Sequence, residues 1–126
     1  MHRGSVRRFS VMWVLGLSLI GLLVGSPVWG NGGDPKKGES WYREAGCDGC
    51  HGKKGRGDGP SGAALKPKPA DFCTSTMHPT DAEKIKMIED GGMSMHHSQD
   101  MPAWGGVLDK QAILDLVAYI HTLCNK

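Results

Sequence analysis

Two cysteines two residues apart, with a histidine directly after the second, stand at Cys47-Asp48-Gly49-Cys50-His51. No other feature limits the fold as strongly. The spacing sets the thiols one helical turn apart, where a single rigid object can take both, and the imidazole adds a third donor beside them. The segments around and after the cluster, "HGKKGRGDGPSGAALKPKPADF" and "GGMSMHHSQDMPAWGG", are dense in Gly, Pro and Lys. Neither can make much regular structure, and loops of that length in a compact domain mean function or disorder. The remaining apolar residues give a thin interior for one small domain. Something other than side chains has to fill its middle.

Three helical signals separate these loops, and no strand alternation is convincing. The first opens at "DPKKGESWYREAG", where Asp34 suits an N-cap, Pro35 the first helical position and Gly46 the stop. The cluster then follows as its own turn or short helix. In "TDAEKIKMIEDGG", Thr80 and Glu83 form a capping box, Ile85 and Ile88 an apolar face, and Gly91-Gly92 the end. The strongest signal is "DKQAILDLVAYIHTLC": Ile113, Leu116, Val117, Ile120 and Leu123 recur at helical spacing behind Asp109 as cap.

The first thirty residues read as an address. Arg3, Arg7 and Arg8 precede an apolar run from Val11 to Val24, and Val28 and Gly30 stand as in a small-residue cleavage site. We expect residues 1–30 to be a cleaved signal and 31–126 one domain, with export to the periplasm or an equivalent compartment. An uncleaved anchor is the weaker reading, because Gly16, Gly21, Gly25 and Pro27 break the run and a span needs about 20 apolar residues. The chain's +2 includes those three arginines, so residues 31–126 carry 12 Lys/Arg against 13 Asp/Glu, a balance that gives no support for nucleic-acid binding. Charge is uneven, however: Asp34 to Lys68 holds eight basic against five acidic residues, and Asp71 to Lys126 four against eight. Such asymmetry suits steering toward a charged partner, or is an ordinary solvated face.

The cluster matches the attachment pattern of c-type haem. Two thiols reach the vinyl groups of one porphyrin and become thioethers, and the adjacent imidazole is aimed at the iron. A tethered haem would also be the missing interior. A zinc ribbon needs a second ligand pair, which the isolated Cys73 and Cys124 do not supply. A thioredoxin-like pair needs a βαβ setting, and a plain disulfide leaves His51 unexplained.

With "GESWYREAGCDGCHG", "GDGPSGAALKPKPADF" and "MPAWGGVLDKQAILDLVAYIHTL" in this order, the sequence resembles the class I monohaem cytochromes c over Asp34 to Leu123. The resemblance implies an all-α fold, three main helices wrapped around one covalently bound haem c. It implies that the first and last helices cross where Gly38 and Tyr42 meet Leu116 and Tyr119. It places the second axial ligand at Met101, stiffened by Pro102, and matches Pro60 to the proline whose carbonyl orients the proximal His51. Bis-histidine ligation through His96 or His97, and a copper site built from Met93, Met95, His96 and His97, are the competing uses of the Met/His loop. Cys73 and Cys124 depart from the family pattern, and two unusual cysteines in an exported chain are expected to pair.

The function so implied is single-electron transfer, with Cys47 and Cys50 anchoring the haem and His51 and Met101 holding the iron; we expect no enzyme activity. Redox proteins, including a membrane-bound respiratory complex, are the expected partners, and Lys36, Lys37, Lys53, Lys54, Lys66 and Lys68 the expected docking charges. The rivals are a haem enzyme such as a peroxidase, which needs an open axial position, and a copper-binding protein.

Overall fold

The computed structural model describes residues 32–124; the expected signal at 1–30 lies outside the described residues. Four helices follow in order: α1 (Pro35–Glu44), α2 (Cys47–His51), α3 (Asp81–Asp90) and α4 (Lys110–Leu123), with a 3₁₀ turn at Gly92–Met95. No strand occurs among the described residues, and the fold is all-α as the sequence predicts.

Each long helix starts on the residue its sequence marks. The Asp34 side chain accepts from the Lys36 N–H, and Asp109 accepts from Ala112. Thr80 and Glu83 close both halves of the capping box. Each cap satisfies backbone donors that a helix cannot pair internally. At the junction of α1 and α2, Gly46 has φ +72°, a left-handed conformation that glycine adopts without penalty. It ends one helix and starts the next.

The core is built on α4. Of the ten buried apolar residues among those described, seven (Ala112, Ile113, Leu116, Val117, Ala118, Tyr119 and Leu123) lie on it, and Tyr42, Ile88 and Leu108 complete the set. Helix α1 crosses α4 at Gly38, where a Cβ would run into the Asp115 carbonyl and meet the Tyr119 Cβ at 2.8 Å. The close approach to Tyr119 is as expected, and the backbone of Asp115 lies nearer still. Beyond it Tyr42 and Tyr119 pack with ring centroids 5.3 Å apart. Asp115 is 2% exposed, and its carboxylate accepts from the Asp34 N–H at 2.7 Å and from Gln111 Nε2 at 3.0 Å. A carboxylate buried in an apolar stripe is tolerated because it is hydrogen-bonded, here with both donors on Oδ1. Helix α3 joins α4 at the His121–Asp81 contact of 2.7 Å, while the Trp104 and Gly105 N–H groups cap its last turn through the Ile88 and Glu89 carbonyls.

Candidate functional site

Helix α2 is only five residues long, so its survival depends on what receives its terminal carbonyls. The Gly52 N–H takes the Asp48 carbonyl at 2.9 Å. Ser61, Gly59 and Gly57 take those of Gly49, Cys50 and His51 at 2.8, 3.2 and 2.8 Å. The glycine-rich loop after the cluster therefore folds back as a cradle for the turn that carries it. Two of its glycines are required by space: a Cβ at Gly59 would strike the Asp48 and Gly49 carbonyls, and one at Gly62 the Cys50 carbonyl. Tyr42 adds a buried bond from its hydroxyl to the Gly52 carbonyl at 2.8 Å, linking α1 to the cradle.

Cys47 and Cys50 are unpaired thiols on one turn, and Cys47 packs against the core. Burial pushes the Cys47 thiol up to about 11, so this position disfavours a thiolate and suits an uncharged sulfur. Burial also holds His51 below the usual imidazole range, favouring the neutral ring that ligates metals. Its Nδ1 is buried and has no hydrogen-bond partner. The expected bond from His51 to the Pro60 carbonyl is thus not formed. What the loop turns toward α2 is its N–H groups, and Pro60, which has none, is exposed at the second position of a turn closed by Gly62 N–H on Gly59 O at 2.9 Å. There its fixed φ shapes the loop. The contact His51 does make is with Phe72, at 4.9 Å between ring centroids and 31° between planes.

Met101 is half-buried against the core, on a strap tied to the end of α3 through Gly92 N–H to Met101 O at 3.0 Å. The other candidates in its loop point elsewhere. Met93 is 64% exposed, His96 and His97 are exposed, and Met95 is half-buried. Among the described residues no group of three or more His, Cys, Asp or Glu side chains could hold a metal ion. Two surface clefts, one between Glu89 and Lys110 and one along Asp48, Lys53 and Pro60, are not lined by Cys47, Cys50, His51 or Met101. The donor set, not a concavity, marks the site.

Residues 33–120 match the family model described as cytochrome c oxidase, cbb3-type, subunit III. The chain belongs to this family of c-type cytochromes. One covalently bound haem c is accordingly the cofactor of the cytochrome. The residues present fit it: two free thiols one turn apart, and directly after them an imidazole that burial keeps neutral. In structure the cytochrome is similar to a chain of the Kuenenia stuttgartiensis reducing HAO-like protein complex, with TM-score 0.57 and 25% identity. That similarity covers 70% of this chain but 41% of the other, so the cytochrome spans less than half the length of the chain it matches. No curated protein matches it.

Three features of the site escaped the sequence reading. Phe72 is the one aromatic residue in the Lys- and Pro-rich stretch "LKPKPADF", which is the signal that could have marked it. The three loop N–H donors and the Tyr42–Gly52 bond left no such trace. Cys73 and Cys124, expected to pair, lie within disulfide distance, Cα to Cα 5.1 Å.

Proposed function

We propose that the cytochrome is an exported single-electron carrier, not an enzyme, with Cys47 and Cys50 bonded to the haem and His51 and Met101 on its iron. When bound, the haem supplies a one-electron ferric/ferrous couple. The chain's own residues do the rest. His51, kept neutral by burial, and Met101, held on a braced strap, would be the two residues that hold the iron, and with both in place oxygen or peroxide would find no open site. A thioether on the far side also favours the ferrous state. The observation that carries this reading is the contrast within one loop: Met101 is drawn into the core while Met93, His96 and His97 stay in solvent.

The family and the structural similarity support redox proteins as partners, a membrane-bound respiratory complex among them. Lys36, Lys37, Lys53, Lys54, Lys66 and Lys68 are all exposed and available for docking to an acidic surface. The 5.1 Å separation supports a Cys73–Cys124 bridge. Its closure releases two protons and passes two electrons to a thiol–disulfide oxidant of the exported compartment.

The test is the visible spectrum of the haem-loaded protein. Wild type is expected to be low-spin with the weak long-wavelength methionine–iron band, and Met101→Ala to lose that band and bind added imidazole or cyanide readily. A band that survives in Met101→Ala, or a high-spin wild type, would reject the assignment.

A further inference from the structure

The loop between α3 and the strap that carries Met101 closes its 3₁₀ turn on a histidine. The His97 N–H donates to the Gly92 carbonyl at 2.9 Å and the His96 N–H to the Met93 carbonyl at 3.2 Å. Such paired bonds end a helix around one left-handed residue, ordinarily glycine. Here that residue is His96, whose φ of 59° makes it the only non-glycine with positive φ among the described residues. A Cβ makes this conformation costly, and glycine would close the same turn without the cost. The backbone therefore gives no reason for an imidazole at this position, and a use for the side chain itself has to be sought.

Three free donors stand on this turn. Met93 is 64% exposed, and His96 and His97 are exposed as well. Neither imidazole has a hydrogen-bond or ion-pair partner among the described residues. With three residues per 3₁₀ turn, the chain returns at His96 over Met93, and His97 follows directly. Met95 lies on another side of the turn and is half-buried, and the nearby Asp100 carboxylate accepts from the Ser98 hydroxyl at 2.8 Å. What remains is one thioether sulfur and two imidazoles. A thioether is a soft donor suited to copper(I), imidazole suits the same ion, and the set holds no carboxylate to favour a harder cation. We propose that Met93, His96 and His97 form a copper(I) site on the surface of the cytochrome. The base of the loop is pinned where the Gly92 N–H meets the Met101 carbonyl at 3.0 Å, so these donors can close on a metal while Met101 stays against the core. The site adds a second metal to the electron-carrier reading and does not depend on which residues hold the haem iron.

The test is equilibrium dialysis of the reduced, haem-loaded protein against copper(I), kept under ascorbate without oxygen and in competition with a copper(I) chelator. Copper and iron are counted in the same samples. Wild type is expected to keep one copper per haem iron. Met93→Leu, His96→Asn and His97→Gln should each retain less, and the triple variant none. Asparagine also accepts the left-handed backbone, so His96→Asn removes the imidazole and keeps the turn. Circular dichroism and a visible spectrum matching wild type show that fold and haem are intact in each variant. Equal copper in wild type and the triple variant would put the binding elsewhere and overturn the proposal. A single variant that holds copper as wild type does would break the three-donor set. Zinc(II) retained by the same residues in preference to copper(I) would equally overturn it, as would low-spin haem lost when copper enters, since the metal would then be taking a ligand from the iron.

Discussion

Gly38 shows how one missing methyl can set a whole interface. A side chain there would meet the backbone carbonyl of Asp115, which cannot rotate away as a flexible side chain could. Gly38→Ala gains helix propensity, about 1 kcal/mol, but must push α1 off α4 and disturb the Tyr42–Tyr119 pair. We expect a net loss of about 1–3 kcal/mol, in line with overpacked cores. Denaturant unfolding followed by helical circular dichroism reads it directly; unchanged stability would mean that the helices are not in contact there. Met101 belongs to the same scale. Its fate is decided by one side chain's burial, and its replacement is predicted to show in the spectrum before it shows in the melting curve.

The elements are held mainly at their ends. Helix α4 carries seven of the ten buried apolar residues among those described, so the fraying of its first turn reaches the core through Ala112 and Ile113. Asp109→Ala removes the acceptor of the Ala112 N–H, now at 2.8 Å, and should cost about 1 kcal/mol. Thermal unfolding of the variant checks it, and restoration by Asp109→Asn, another good cap, separates capping from charge. Helix α2 is the opposite case. Five residues cannot hold a helix by their own propensity. Its four terminal carbonyls are received by Gly52, Gly57, Gly59 and Ser61, so the glycine loop and the haem-attachment turn form or fail together.

At the scale of the molecule, the basic residues gather in the first half of the domain and the acidic ones in the second. If the exposed Lys53 and Lys54 help steer an acidic redox partner, the Lys53→Glu/Lys54→Glu variant should associate at least several-fold more slowly at low salt. The difference should shrink as salt screens the charges. Stopped-flow electron transfer across a salt series measures this, and equal rates at low salt would dismiss that face. Cys73 and Cys124 stand 51 residues apart in sequence, so the proposed bridge would close a long loop and stabilise by roughly 2–4 kcal/mol. Among the described residues no helix is long and apolar enough to cross a membrane.

The sequence alone determined what local chemistry determines: the helix starts at Asp34, Thr80 and Asp109, the stop at Gly46, and the thiol–thiol–imidazole cluster, whose spacing is written in five consecutive letters. These depend on neighbours within one or two turns, so the string contains them. Other contacts join residues far apart in the chain: Asp115 beneath Gly38, Phe72 against His51, and Cys73 beside Cys124. No periodicity records which distant groups meet. The cysteine pair was legible only as two unusual residues, and Asp115 only as a charge interrupting an apolar stripe. The partner of the His51 ring nitrogen is likewise not written in the string. Where a loop's polar groups point is settled by how it closes over its helix, and this loop turns the N–H groups of Gly57, Gly59 and Ser61 to the carbonyls of α2.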